Sequence, residues 1–384
     1  MADHYDAIVV GARCAGSPTA MLLARRGYRV LLVDRAAFPS DTLSTNVIQA
    51  PGLAALARWG LLDQVVASGC PPMHTYSFDF GPFTITGRPP AAAYAPRRTI
   101  LDKVLVDAAA AAGAEVRERF TVDDILIEDG VVAGIRGHGP GGTSAVERAR
   151  VVIGADGRHS QVAKAVQPRR YRDKAPLQWG YYAYWSGVPA SGFETVARPD
   201  RAFAAIPTND GLTLVVVGWP TAEKDAYRAD IEGNYLKTLD MVPEFADRVR
   251  AATRETPFTG GAVANFLRQP FGPGWALVGD AGYTKDPITA QGISDAFRDA
   301  EQCAGALDEA FTAVRTFDDA MRAYHRDRDR HVLPMFEFTT QLATLAPPPP
   351  EVGRRLAEVC GDHAAMDAFA GVIAGTMSPV EFFG

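Results

Sequence analysis

The beginning of the chain constrains its fold more than any other stretch. Ala7–Val10 is a short apolar run typical of a buried strand, and a turn of small residues, Gly11–Gly16, follows it directly. A helical segment then ends at Gly27, a second apolar strand occupies Val30–Val33, and Asp34 closes that strand. This order of strand, turn, helix, strand and acid is typical of a site for the pyrophosphate and ribose of a dinucleotide.

The turn departs from the usual Gly-x-Gly-x-x-Gly pattern at its middle glycine, which is replaced by Arg13. That glycine normally lets the backbone approach the pyrophosphate, so we expect the Arg13 side chain to point away from the phosphates. The amides of Cys14 and Ala15, at the start of the helix, are expected to hold the phosphates instead. Asp34 is expected to accept hydrogen bonds from the ribose hydroxyls.

Composition and charge exclude several classes of protein. The 384 residues carry a formal charge of −6, and the 39 basic residues are scattered, so no basic stripe indicates a nucleic-acid partner. The four cysteines lie far apart, which argues against a zinc site or a disulfide framework, and no metal is expected. The sequence contains no run of about 18 apolar residues, so no membrane span is predicted. The first residues lack the basic segment of a secretory signal, so we expect a cytoplasmic location.

The nucleotide-type elements are interrupted by aromatic segments with strand-like alternation. We therefore expect a nucleotide-binding domain from residues 1–72, 97–167 and 266–330, a substrate domain from residues 73–96 and 168–265, and a C-terminal helical segment from residues 331–384. Between His325 and His331 the sequence reads HRDRDRH. We interpret this run as a solvated helix face with alternating charges rather than a metal site.

Two further motifs follow apolar strands later in the chain. Asp156-Gly157 follows Val151–Ile153, and Gly279-Asp280 is followed by Pro287 and Gly292, seven and twelve residues after the acid. Together with the opening turn, these motifs resemble those of the FAD-dependent hydroxylase superfamily, the group typified by p-hydroxybenzoate hydroxylase. The resemblance covers most of residues 5–310.

The resemblance implies an α/β fold with a Rossmann-like FAD-binding domain, an inserted antiparallel-sheet substrate domain and C-terminal helices. It implies FAD as the cofactor, with NAD(P)H as a transient co-substrate. In the family, the acid of the Gly-Asp motif binds the ribityl chain, and amides at the later glycine open a helix aimed at the flavin pyrimidine. The cofactor-binding residues implied in this way, or predicted from the turn, are Gly11, Cys14, Ala15, Gly16, Asp34, Arg35, Arg98, Val122, Asp156, Asp280, Pro287, Gly292 and Ile293.

The activity must be argued from the site, because the superfamily also contains flavin halogenases and geranylgeranyl reductases. The halogenase signature is W-x-W-x-I-P, and Ala202–Pro207 retains only its last two residues. The reductases carry Y-x-W-x-F-P there, and Ala204 again replaces the tryptophan. We favour a monooxygenase that uses NAD(P)H and O₂ to hydroxylate or epoxidise a bulky aromatic or polycyclic molecule. A prenyl-chain reductase is the main alternative, followed by a halogenase and by a non-enzymatic FAD-binding sensor.

The substrate residues are expected on an aromatic strand. Tyr181 and Trp185 share one parity along it, Tyr182 and Tyr184 share the other, and only one pair can face the substrate. We predict that Tyr181, Trp185 and Ala204 contact the substrate, the small Ala204 making room for a large molecule. No catalytic side chain is predicted, because the flavin carries the chemistry.

Overall fold

The structure, a computed structural model, describes residues 4–383 and contains two large sheets, each packed against helices. The strands are β1 Tyr5–Val10, β2 Val30–Val33, β3 Tyr76–Asp79, β4 Thr84–Gly87, β5 Glu115–Arg117, β6 Thr121–Glu128, β7 Val131–His138, β8 Ser144–Gly154, β9 Arg170–Lys174, β10 Gln178–Ser186, β11 Phe193–Arg198, β12 Arg201–Pro207, β13 Leu212–Pro220, β14 Thr253–Arg254, β15 Thr259–Ala262, β16 Asn265–Arg268, β17 Phe271–Gly272, β18 Trp275–Leu277 and β19 Tyr283–Thr284. The helices are α1 Gly16–Ala24, α2 Ala50–Trp59, α3 Leu62–Ala67, α4 Arg98–Ala111, α5 Gln161–Val166, α6 Lys224–Ala229, α7 Ile231–Leu239, α8 Pro243–Arg250, α9 Gly292–Phe311, α10 Phe317–Leu342, α11 Pro350–Val359, α12 His363–Ile373 and α13 Pro379–Phe383.

The first sheet brings the cofactor motifs to one edge. Its order is β17-β18-β8-β1-β2-β5, and β1 is parallel to both β2 and β8. The register pairs Val10 with Val33 and with Gly154, and pairs Gly154 with Leu277. The carboxyl ends of these four strands therefore lie side by side, which is where an open parallel sheet binds its ligand.

Both faces of this sheet are covered, which explains why its strands are apolar without alternation. Ala7 and Val9 face one cluster of buried side chains, to which α1, α4 and α9 contribute. Ile8 and Val10 face the other, which includes Phe120 and side chains from β7. The α/β fold with a Rossmann-like domain is thus confirmed.

The second sheet has the order β14-β10-β13-β12-β11-β3-β4, with β15 also paired to β10. It is antiparallel except where β11 runs parallel to β3, so the two inserted segments share one sheet. One face packs against α6, α7 and α8. The opposite face packs against α11, α12 and α13, so the chain's last helices cover the sheet.

Two expectations about the C-terminal region are wrong. The predicted boundary between residues 330 and 331 falls inside α10, a continuous helix from Phe317 to Leu342. The charged run on that helix is not simply solvated, because the Arg328 side chain is 0% exposed and donates to the Tyr171 hydroxyl and the Arg268 carbonyl. Successive side chains point in different directions around a helix axis, so some charged residues of an alternating run face the protein interior.

Among the helices between residues 4 and 383, none combines the length and the apolar character needed to cross a membrane.

Candidate cofactor and substrate site

The opening turn lies against the end of β8. Gly11 has φ +101°, and a Cβ there would lie 2.5 Å from the Ala155 carbonyl oxygen. A Cβ on Gly16 would lie 1.7 Å from the carbonyl oxygen of Gly11. Only glycine allows the turn to close at these two positions, so the local sequence dictates the shape of the turn.

The turn leaves backbone donors free at the start of α1. The Asp34 carboxylate accepts the N–H groups of Ala12 and Ala36, at 2.7 and 2.8 Å, which holds it beside the turn. Within residues 4–383 the N–H groups of Cys14 and Ala15 have no hydrogen-bond partner. Free N–H groups at a helix N-terminus are suited to a phosphate.

Arg13, at the position of the missing glycine, is bound by protein groups. Its guanidinium pairs with the Asp102 carboxylate and donates to the carbonyl and the hydroxyl of Ser40. It also lies 5.2 Å from the centre of the Phe38 ring. The Arg13 guanidinium is therefore engaged by protein groups, whereas the amides of Cys14 and Ala15 have no partner within residues 4–383.

Asp102 is a residue of this site to which the sequence analysis assigned no role. Its side chain is fully buried and binds Arg13, the Cys14 thiol at 3.4 Å, and the Nε and Nη2 atoms of Arg98 at 3.0 and 2.8 Å. Burial raises the pKa of the Cys14 thiol well above its usual range, so the thiol stays protonated. The only signal in the sequence is the spacing of four between Arg98 and Asp102 on a helix.

The Gly-Asp motif places an unpaired carboxylate at the sheet edge. Gly279 has φ +56° and donates its N–H to Asp299 at 2.9 Å. Within the described range the exposed Asp280 carboxylate accepts no hydrogen bond. Desolvation by the surrounding protein atoms raises the pKa of this carboxyl group, and the positive charge of the nearby Arg98 guanidinium opposes this shift. Such a carboxylate is an open acceptor for a ligand hydroxyl.

The other predicted residues differ in their surroundings. Asp156 accepts the N–H of Gln161 at 2.6 Å through one carboxylate oxygen, while the other is buried and unpartnered. Pro287 is exposed, and α9 begins at Gly292 with open space where a side chain would lie. The remaining three are dispersed: Ile293 is buried in the first turn of α9, Val122 is half-buried on β6, and Arg35 is exposed just after β2.

The buried Asp286, just before Pro287, gives a testable pH effect. Burial raises its pKa to about 7, and one of its oxygens has no partner. Between about pH 4 and 7 the folded protein therefore binds a proton that the unfolded chain releases, so this group makes stability fall as pH rises. In thermal melts, the stability of Asp286→Asn should fall less than that of the wild type as the pH is raised from 5.5 to 8. The exposed Asp63→Asn variant should follow the wild type, and equal losses in all three proteins would contradict this role.

The structure corrects the predicted substrate residues on β10. Tyr181 and Trp185 face α6–α8, where the Trp185 ring stacks on Tyr235 at 6.3 Å. Ala204 lies on the opposite face, because its partner in the register is Val216, which pairs with Tyr182. Period-2 alternation separates two faces but does not say which of them lies toward the loop after β2, so the sequence predicts the wrong pair.

Instead, Tyr182 and Tyr184 face the cofactor domain. The Tyr184 hydroxyl accepts a hydrogen bond from the Asn46 side chain at 2.7 Å, and the Tyr182 hydroxyl accepts the N–H of Ser44 at 3.4 Å. Ser44 and Asn46 lie in the loop between β2 and α2. This loop therefore connects the cofactor domain to the substrate sheet.

The residues present fit FAD. Free turn amides, the Asp34 carboxylate and the unpaired Asp280 carboxylate match a pyrophosphate, a ribose and a ribityl chain in turn. The exposed start of α9 provides a positive helix end for the flavin ring.

Known proteins resemble this chain in sequence and in fold. A family model described as FAD binding domain matches residues 4–339. The 6-methylpretetramide 4-monooxygenase of Streptomyces rimosus is 29% identical over 319 residues, which cover 77% of this chain and 73% of that protein. Digeranylgeranylglycerophospholipid reductase 2 of Methanothermobacter thermautotrophicus is 32% identical over 301 residues, 75% of this chain and 74% of that protein. The structure of the myxobacterial chondrochloren halogenase CndH matches with a TM-score of 0.84 over 99% of both chains, at 22% identity.

Proposed function

Because this chain belongs to the FAD-binding-domain family and is an FAD-dependent oxidoreductase, we propose that it is a monooxygenase acting on a bulky aromatic or polycyclic molecule. NAD(P)H and O₂ are its co-substrates. The observation that carries the proposal is the face of the second sheet that bears Tyr182, where the small Ala204 and Tyr182 lie on either side of Val216. A small side chain there leaves room for a fused ring system.

The chain's own residues bind and orient the cofactor. Cys14 and Ala15 donate their N–H groups to the pyrophosphate, and Asp34 accepts from the ribose. Asp280 accepts from the ribityl chain, and the start of α9 at Gly292 stabilises negative charge on the flavin pyrimidine. When bound, FAD would supply the redox chemistry, in which NAD(P)H, a proton and O₂ provide one oxygen atom for the substrate and one molecule of water.

The purified protein tests this proposal directly. We expect a yellow protein that oxidises NAD(P)H in air and slowly releases peroxide when no substrate is present. Reduction of bound flavin without any peroxide release would argue against a monooxygenase. Bound flavin that NAD(P)H does not reduce would instead indicate a sensor, and a colourless protein that FAD does not reconstitute would exclude a flavoenzyme.

A prenyl-chain reductase is the second candidate. It is supported by the 32% identity to the Methanothermobacter reductase, and the Gly279–Tyr283 segment resembles the reductase version of the motif as much as the hydroxylase version. This candidate predicts NAD(P)H oxidation coupled to saturation of a prenyl double bond. Incubation with a geranylgeranyl lipid and mass spectrometry of the product would distinguish the two activities.

The Ala204 side chain gives a test of substrate size. Ala204→Trp should lower kcat/KM for a polycyclic substrate at least 10-fold, because the indole would extend over the neighbouring Val216 on the face that also bears Tyr182. FAD content should be unchanged, since β12 carries none of the cofactor residues. Ala204→Ser is the matched control with almost no added volume. Unaltered kinetics in Ala204→Trp would contradict the position assigned to the substrate.

A further inference from the structure

A polar cluster lies on the apolar face of the substrate sheet. It consists of Tyr182 and Tyr184 on β10 and of Asn46 in the loop before α2, and we call it the tyrosine cluster. The two phenol rings meet edge to face with their centres 5.7 Å apart. Asn46 and Tyr184 are buried, whereas Tyr182 is half-buried. Polar groups in such a place need hydrogen-bond partners.

Each phenol of the tyrosine cluster has an unused donor. Burial raises the pKa of Tyr182 to about 12 and also raises the pKa of Tyr184, so both hydroxyls keep their protons at neutral pH. Their oxygens accept N–H groups from Ser44 and Asn46. Across residues 4–383, neither phenol O–H has an acceptor within hydrogen-bond distance. Two O–H groups therefore lack a hydrogen-bond partner within the described residues.

Asn46 leaves part of its amide unpaired in either orientation of that group. It is 0% exposed, has φ +64°, and its amide oxygen has no partner. Exchanging the amide oxygen and nitrogen pairs the oxygen with the Tyr184 O–H but frees two N–H groups. In either orientation the pair keeps a free donor.

An arginine adds positive charge beside the tyrosine cluster. The Arg97 guanidinium lies 4.6 Å from the centre of the Tyr184 ring, and its Nε atom is buried without a partner. Its Nη2 atom pairs with Asp41 at 3.0 Å, which holds the side chain in place. The cluster therefore favours a ligand atom that is an acceptor, including a negatively charged one.

The tyrosine cluster adjoins the start of α9. Three residues after Asn46, the N–H of Gln49 donates to the Ser294 hydroxyl at 3.1 Å, in the first turn of that helix. The neighbouring side chains on the sheet are apolar, among them Val216 and Leu214. A ligand here therefore meets a few polar donors on an otherwise apolar surface, as is usual in small-molecule sites.

We propose that Tyr182, Tyr184 and Asn46 bind an oxygen acceptor of the substrate, a carbonyl, carboxylate or phenolate oxygen on a largely apolar ring body. The proposal rests on the proposed function only in taking the ligand to be the substrate. A hydrocarbon leaves the buried donors unpaired, which weakens its binding relative to an oxygenated molecule. An oxygen acceptor pairs them, so the cluster selects for oxygenated molecules.

Binding to the FAD-loaded protein tests the proposal. The probes are 2-naphthoate and 2-acetylnaphthalene compared with 2-methylnaphthalene, and benzoate and acetophenone compared with toluene. Each is titrated without NAD(P)H while the flavin absorbance is followed. We expect an oxygenated probe to bind at least 10-fold more tightly than its hydrocarbon partner at one or both ring sizes. Tyr182→Phe, Tyr184→Phe or both should reduce that preference at least 5-fold, whereas Tyr181→Phe, on the face of the same strand that packs against α6–α8, should not.

Two results would overturn the tyrosine cluster as an oxygen-binding site. One is the lack of any preference at both ring sizes, including failure of every oxygenated probe to bind. The other is a preference that survives in both the Tyr182→Phe and the Tyr184→Phe variant. Because the titration contains no NAD(P)H, it is independent of the peroxide assay. A protein that releases peroxide but shows no preference keeps the proposed function and lacks this subsite.

Discussion

A Gly16→Ala variant is expected to lose FAD binding completely. The added Cβ would lie 1.7 Å from the Gly11 carbonyl oxygen and 3.0 Å from the Ala155 Cβ. The first of these contacts is with backbone, so no side chain can rotate to relieve it, and the turn must separate from α1. The free amides of the turn would then no longer converge on the pyrophosphate. Flavin absorbance of the purified variant measures the effect.

Gly305→Ala is the matched control for this variant. Gly305 lies inside α9, and a Cβ there meets no atom within 4 Å. Alanine at an open helical position is expected to stabilise the protein by up to about 1 kcal/mol, with full flavin content. If Gly16→Ala retains flavin as Gly305→Ala does, the close approach in the turn is not required for binding.

Removing the Asp102 carboxylate should have the largest effect on stability of any single side chain in the site. Asp102 is fully buried between Arg98 and Arg13, so Asp102→Ala leaves the buried Arg98 charge without its partner. Unpairing a buried ion pair typically costs about 3–5 kcal/mol. Denaturant melts of the FAD-free protein measure this loss separately from any loss of cofactor.

The same helix offers a control of equal chemistry. Asp107 also pairs with a basic residue four positions away, Lys103, but both side chains are exposed. Exposed pairs of this kind contribute about 0.3–0.5 kcal/mol, so Asp107→Ala should be nearly neutral. Equal destabilisation by the two variants would show that the Asp102 network does not hold the turn against α4.

The cofactor half of the molecule was predictable from sequence because its determinants are local. Gly11 and Gly16 follow β1 directly, Asp34 ends β2, and Gly279-Asp280 follows β18 closely. A parallel sheet brings the ends of its strands to one edge, so short motifs at strand ends become neighbours without any knowledge of side-chain packing.

The features that were missed depend on contacts between distant parts of the chain. Asp102 meets Arg13 across 89 positions, and Tyr184 meets Asn46 across 138. The environment of each face of β10 depends on where α6–α8 and α11–α13 pack. The alternation of residues along β10 gives no information about that packing. Arg328 is buried because α10 lies against β9 and β16, where Arg328 binds Tyr171 and Arg268. The local charge pattern does not reveal this contact.

The position of the last helices has a practical consequence for directed evolution. The segment from Pro350 to Phe383 carries none of the cofactor motifs, yet it packs on the substrate face of the sheet. Its Ile373 carbonyl accepts a hydrogen bond at 2.6 Å from Gln291, the residue before α9. Randomising α11–α13 therefore changes side chains on the proposed substrate face while every proposed cofactor residue keeps its parental identity.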